Sequence, residues 1–406
     1  MTNPYDKTID IYLTLWYNKN LAATNQHPNH LTIVRSNSSA TTGESMKEQQ
    51  VKQHREITLQ EAADLIANIP DNRFLLRGEP GIGKSSVLNL LKSHPLLPSE
   101  EYDFVYVDCA SLDLGDTAAP IPNREDKILE YYPNGTFKLH TDKKVVICLD
   151  EFSKGADPVK NMLHPLLEEN APRMADKFLK QGSIVFLTGN LTTDGVGDSL
   201  KAHTVQRVTR VDVRKASADI WLEWATANNI APEVRSWVRA HPDCLASYRD
   251  PGQESNPYPY NPRKPHLSCV SPRTLSRSSN IVRARKHLTH NAVTVALAGT
   301  AGEAFADSFA AYLQFSDQLP TREAILNDPK GCRVPTESGA QGILVYSFID
   351  TVSKETIDPY MAYVERLNPD WTACFALSIA KDKNKQAIAF NNARFRDWCA
   401  ANNDLL

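Results

Sequence analysis

The seven cysteines of this 406-residue chain are scattered and form no C-x-x-C pair, so neither a zinc ribbon nor a disulfide framework is written into it. Cys148 lies inside an apolar strand, where a reduced thiol acts as a small hydrophobe, and a cytoplasmic setting is expected. Apolar runs are short, none approaching the ~18 residues that cross a bilayer, so no membrane span is expected. The opening segment has no basic region leading into a clean apolar stretch, because Asp6, Asp10 and Thr14 interrupt it; a secretory leader is not expected. Neither sign of charge dominates: 45 Lys and Arg against 48 Asp and Glu leave a net −3, which gives no global pull toward nucleic acid or membrane. The remainder, 41% hydrophobic and 23% charged, suits a soluble globular chain of two or three domains.

Against these absences stands one complete pattern. Residues Gly78-Glu79-Pro80-Gly81-Ile82-Gly83-Lys84-Ser85 match G-x-x-x-x-G-K-[ST], with the apolar strand Phe74-Leu75-Leu76 before them and a helical run beginning at Ser86 after them. Glycines at this spacing let backbone N–H groups close around phosphate oxygens, and the following helix adds the positive end of its dipole. Lys84 is placed to reach the β/γ-phosphates of ATP, and Ser85 to hold Mg²⁺.

Around this loop the chain is expected to divide into four parts. Residues 1–55 read as a disordered or loosely attached arm, with the polar linker Ser36–Ser45 and a second possible start at Met46. Residues 56–213 read as an α/β core. Thr58-Leu59-Gln60-Glu61 forms a capping box for its first helix. Five strands follow, at Phe74–Arg77, Phe104–Asp108, Val145–Asp150, Ser183–Thr188 and Thr209–Val213. Helical or longer connections separate them, the rhythm of a parallel sheet. Continuous apolar runs such as Val145–Leu149 suit strands covered on both faces. Residues 214–313 read as an α-helical lid, with one helix carrying Ile220, Trp221, Trp224 and Ala225 on a single face and others at Leu275–Leu288 and Ala292–Leu313. Residues 314–406 read as a C-terminal helical region whose Trp371, Phe375, Phe395 and Trp398 are packing stripes.

Chemistry-bearing residues cluster at strand ends. Val145–Leu149 runs into Asp150 and Glu151, a Walker B pattern: Asp150 supports Mg²⁺ through water and Glu151 polarises the attacking water. The strand ending in Thr188-Gly189-Asn190 offers the Asn190 amide to the γ-phosphate and that water. Arg207 and Arg210 precede or open the fifth strand, where a guanidinium can project into a neighbouring subunit's site; either can be the finger. Ser271 and Pro272 cap a helix whose first turn holds Arg273, and an arginine there opposes the dipole unless an anion faces it. Arg263–His287 holds seven Lys and Arg and no acidic residue, which fits lid arginines serving ATP and subunit contacts better than a nucleic-acid patch. A hairpin is expected over Ile128–His140 around Asn134-Gly135, its Tyr131, Tyr132 and Phe137 either gripping a client or packing on the core.

The order GEPGIGKS, VVICLDE, FLTGN, HTVQRVTRV and SPRTL resembles an AAA+ ATPase, over roughly residues 56–310, and within that class the MoxR and cobalt-chelatase-like branch. The resemblance implies a P-loop core with a five-stranded parallel sheet, a helical lid and Mg²⁺-dependent ATP hydrolysis in a ring, a hexamer, with sites shared between subunits. It implies Gly78 to Ser86 on nucleotide, Ser85 and Asp150 on metal, Glu151 on water, Asn190 as sensor 1, Arg207 as trans finger and Arg273 as sensor 2. It also implies a protein client, or a separate partner with a von Willebrand factor A domain. Two departures stand out. Gln206-Arg207-Val208 replaces the branch's usual Asp-Arg-Phe, which keeps Arg210 in contention. Pro165 is expected to kink the helix after Asp150. A DNA-directed motor and a nucleotide-gated scaffold with little turnover are the alternatives. The first is supported only by the basic stretch, and the second is disfavoured by Glu151 and Arg207.

Overall fold

The computed structural model describes residues 55–191, 200–316 and 319–403. The expected N-terminal arm, Met46 included, lies outside the described residues apart from Arg55. Two compact units divide the chain: one spans Arg55–Asn392, and the other takes in the chain ends, of which α15 (Ala393–Ala401) is the described element.

Helix α1 (Leu59–Asn68) opens at the expected box: Glu61 N donates to Thr58 Oγ1 at 3.1 Å, and Thr58 N donates back to Glu61 Oε2 at 2.7 Å. Its Ala62, Ala63 and Ile66 are fully buried. Five strands follow in one sheet: β1 (Phe74–Arg77), β2 (Tyr102–Asp108), β5 (Lys144–Asp150), β8 (Ile184–Gly189) and β9 (Thr209–Asp212). Their spatial order is β2-β5-β8-β1-β9 and every pairing is parallel. Alternation divides the apolar strands between two layers. Phe74, Leu76, Val146, Cys148, Ile184 and Phe186 meet α1 and α2 (Val87–Lys92). Leu75, Val145, Ile147, Leu149, Val185 and Leu187 meet α3 (Asp157–Leu163) with Phe137 and Phe152. Both faces are therefore dry, each buried side chain contributing roughly 1.5–3 kcal/mol. Ligands of such sheets sit beyond the C-terminal strand ends, where β1, β8 and β5 stand side by side.

Several local expectations are corrected. The hairpin pairs β3 (Ala118–Asn123) with β4 (Ile128–Pro133), not strands flanking Asn134-Gly135. Asn123 closes the four-residue loop by accepting from the backbone of Glu125 and Asp126, while Asn134 caps a single 3₁₀ turn. That turn buries Phe137 completely, so it is a core residue; Tyr131 and Tyr132 remain exposed. A second hairpin, β6 (Arg173–Met174) with β7 (Lys177–Phe178), joins the first through Tyr131 N donating to Asp176 Oδ2 at 2.6 Å. Helix α3 stops at Leu163 instead of bending at Pro165, and a 3₁₀ turn carries the chain to Leu167; the proline lacks an N–H to continue the helix.

After α4 (Ala202–Val205) and β9 the chain is helical. It continues through α5 (Ala218–Ala227), α6 (Pro232–Ala240), α7 (Pro272–Ala284), α8 (His290–Ala301), α9 (Glu303–Ser316), α10 (Arg322–Asn327), α11 (Ser338–Thr351), α12 (Ile357–Val364), α13 (Pro369–Lys381) and α14 (Gln386–Asn391). On α5, Trp221, Leu222 and Ala225 are buried whereas Ile220 and Trp224 are exposed, so the anticipated single face is split. The pattern at Ala292–Leu313 is two helices: Gly302, at φ +97, separates α8 from α9, and a Cβ there would stand 2.8 Å from Ser268 O. Arg235 of α6 is fully buried and pairs with Asp350 of α11 at 2.6 Å. Among the described residues no helix is long and apolar enough to cross a membrane.

Candidate functional site

The loop after β1 is shaped by its glycines. Gly81 (φ +76) and Gly83 (φ +103) occupy the left-handed region that side chains disfavour, and a Cβ at Gly81 would lie 2.7 Å from Ser271 Oγ. Among the described residues the backbone N–H groups of Gly81, Ile82 and Gly83 donate to no protein acceptor, which leaves an anion-sized cradle of donors. Lys84, 8% exposed, folds over this loop: its Nζ donates to Gly78 O (2.7 Å), Glu79 O (2.8 Å) and Asn190 Oδ1 (3.0 Å). Asn190 follows the end of β8, and the intercalation of β8 between β1 and β5 puts its amide beside Lys84.

Asp150 ends β5, also 8% exposed, and accepts three hydroxyl hydrogen bonds. Ser85 Oγ donates to Oδ1 at 2.6 Å, Thr188 Oγ1 donates to the same oxygen, and Tyr106 OH donates to Oδ2 at 2.7 Å. Glu151 follows in the left-handed conformation (φ 48, ψ 40), with its N–H donating to Thr188 Oγ1 at 3.1 Å and its carboxylate pairing with Lys154 at 2.5 Å. A non-glycine residue in this region costs on the order of 1–3 kcal/mol and persists where surrounding bonds hold it. Ser85 and Asp150, hard oxygen ligands beside a phosphate cradle, suit Mg²⁺; among the described residues no His/Cys/Asp/Glu cluster offers a dedicated all-protein metal cage.

The helical region closes on the loop from the other side. Helix α7 is capped as expected, Thr274 N donating to Ser271 Oγ at 3.2 Å, and its second residue touches the cradle, Arg273 N donating to Gly81 O at 3.3 Å. The Arg273 side chain is exposed and forms no ion pair among the described residues. Ser247 Oγ donates to the buried Glu79 carboxylate, and Lys215 Nζ ties Ala246 O (3.1 Å) to Val270 O (3.2 Å). Burial of the Lys215 ammonium pushes its pKa down, with Glu79 opposing the shift.

Arg207 and Arg210 sit elsewhere. Thr209 pairs with Phe74 at the start of β1, so both arginines lie at or near the N-terminal end of the sheet, about 10 Å or more of strand away from the loop. Arg207 is held by His203 O (3.1 Å) and Glu168 (3.4 Å), whereas Arg210 is exposed without an ion pair among the described residues. A cavity of about 130 Å³ between α3 and α4, lined by Lys160, His164, Lys201 and His203 among others, is separate from the loop. Burial and then Arg207 lower the pKa of His164.

Of the residues singled out in the sequence, the fold brings Lys84, Ser85, Asp150 and Asn190 together and sets the Arg273 backbone on Gly81, while Arg207 and Arg210 stand apart. Tyr106, Thr188, Lys154, Ser247 and Lys215, which adjoin these residues, were not singled out. Thr188 alone carried a signal, a hydroxyl inside an otherwise apolar strand. The others depend on contacts far apart in the chain.

No protein-family model and no curated protein matches the chain. Among solved structures, a candidate ATPase of Cytophaga hutchinsonii is 20% identical with a TM-score of 0.31, over 43% of this chain and 52% of that one, about half its length. A RuvB mutant from Thermotoga maritima is 15% identical with a TM-score of 0.32, over 77% of this chain and 91% of that one. NtrX from Brucella abortus, solved in complex with ATP, is 14% identical with a TM-score of 0.34, over 81% and 67%. These are remote likenesses.

Proposed function

We propose that this protein is a Mg²⁺-dependent ATPase of the AAA+ class, of the MoxR and cobalt-chelatase-like kind, acting as a hexameric ring. The reading is carried by the convergence of Lys84, Ser85, Asp150 and Asn190 beyond three adjacent strand ends. On ATP binding, Lys84 exchanges its carbonyl acceptors on Gly78 and Glu79 for β/γ-phosphate oxygens, keeping Asn190 within reach of the same groups. Ser85 and Asp150, now joined by a hydrogen bond, would be the residues that hold Mg²⁺, Ser85 Oγ turning away from Asp150 Oδ1 to do so. The ion, when bound, supplies charge neutralisation on the phosphate oxygens. Glu151, released from Lys154, takes a proton from the attacking water at a carboxylate oxygen. Arg273 approaches the γ-phosphate from the α7 end already seated on Gly81.

The distance of Arg207 and Arg210 from their own loop supports a finger acting on the neighbouring subunit, a contribution of about 10³–10⁵ in rate where such fingers are known. Arg207 must first leave Glu168, and Arg210 has no such tie among the described residues. The exposed Ile128, Leu129, Tyr131 and Tyr132 of the first hairpin and Phe178 of the second offer an apolar grip for a protein client or a separate partner with a von Willebrand factor A domain.

ATP turnover measured beside mass by light scattering tests the reading with wild type, Glu151→Gln, Arg207→Ala and Arg210→Ala. Wild type is expected to hydrolyse ATP as a ring, and Glu151→Gln to assemble without turnover. The finger variant loses turnover alone but regains part of it when mixed with Lys84→Ala subunits. A monomeric wild type, silent with ATP and Mg²⁺, would reject the proposal.

A further inference from the structure

Tyr106 is an unusual aromatic. It lies on β2, the edge strand of the sheet, and its side chain is 52% exposed, so the ring adds little to the core. Its hydroxyl is nonetheless committed, donating to Asp150 Oδ2 at 2.7 Å. Register explains the reach. Tyr106 pairs with Cys148 and Asp108 with Asp150, so the phenol starts two residue pairs behind the carboxylate, on the same face, and spans forward to it.

The consequence concerns the carboxylate. Oδ1 is held by Ser85 and Thr188, and Oδ2 by Tyr106. When Ser85 turns toward the nucleotide's metal, one hydroxyl remains on each oxygen. We infer that Tyr106 is a positioning residue for the metal site: its hydroxyl occupies Oδ2 and locks the carboxylate plane, so that Asp150 presents Oδ1 in the direction vacated by Ser85. Without it only the Thr188 bond to Oδ1 restrains the carboxylate, and the orientation must be selected at the moment of metal binding. This inference rests on the proposed ATPase site.

The test compares affinity for a fluorescent, non-hydrolysable ATP analogue in Mg²⁺ and in EDTA, for wild type, Tyr106→Phe and Tyr106→Ala. The phenylalanine variant keeps the ring and loses only the donor. A half-saturating Mg²⁺ concentration about three- to tenfold higher is expected for it, since only part of the lost bond's worth falls on the metal-bound state. Affinity in EDTA should stay within twofold of wild type, and the lost bond should lower the melting temperature modestly in both variants. The alanine variant should reproduce the same Mg²⁺ shift, because the ring is not its source. An unchanged Mg²⁺ dependence in Tyr106→Phe overturns the inference while leaving the ATPase reading intact. A wild type whose nucleotide affinity ignores Mg²⁺ removes both.

Discussion

Thr188→Val is the sharpest perturbation the site offers. The substitution keeps shape and β-branching and deletes one hydroxyl that is fully buried and serves two neighbours: it donates to Asp150 Oδ1 and accepts from Glu151 N at 3.1 Å. Losing a bond to a charged group costs about 1.5–3 kcal/mol, and an orphaned, half-buried N–H adds about 1 kcal/mol. A destabilisation of about 2.5–4 kcal/mol follows by addition, read as a lower urea midpoint at unchanged slope. The larger effect should fall on catalysis. Glu151 stays left-handed because its N–H is tied to Thr188, and without that tie a bias of about 1.4 kcal/mol toward the ordinary backbone well lowers the competent fraction about tenfold. Steady-state ATPase kinetics should show kcat reduced about tenfold or more with nucleotide affinity within threefold of wild type. Thr188→Ser, which restores the hydroxyl, should recover most of it. Retention of kcat within twofold in a folded Thr188→Val would refute the assignment of Thr188 as the anchor of Glu151.

Two further predictions concern stability. Asp350→Ala leaves the buried Arg235 guanidinium, two of whose nitrogens already lack partners among the described residues, without its carboxylate; guanidinium unfolding should report a loss of about 3–5 kcal/mol, and a loss under about 1 kcal/mol would contradict the buried pair. Glu61 is held below the usual carboxylate range first by the Thr58 backbone amide and then by its hydroxyl. A depressed folded pKa stabilises above the unfolded value of about 4.3 and the benefit is lost as pH falls through the folded value. The melting temperature of wild type should therefore exceed that of Glu61→Gln by a constant margin above about pH 5.5 and lose that margin on acidification; a margin independent of pH down to about 3 would exclude the carboxylate's part in the cap.

Local signals wrote much of this molecule. The glycine spacing of residues 78–83 dictates left-handed turns that hardly any other residue tolerates, and unbroken apolar runs such as Val145–Leu149 can only be strands covered twice. The Thr58 and Ser271 caps are satisfied within three residues of themselves, so they too were legible. Where a signal had two local solutions, the sequence misled: Asn134-Gly135 suits a hairpin turn and a capped 3₁₀ turn equally, and the loop closed by Asn123 decided between them. The helical pattern through Gly302 likewise had no reason to break until the backbone of Ser268 lay against it. Above all, the partners of Asp150 come from the phosphate loop, an edge strand and β8, separated by 38 to 65 residues. No periodicity encodes such pairs; parallel strands acquire their neighbours only when the crossovers close, and that closure alone set Tyr106, Thr188 and Ser85 around one carboxylate.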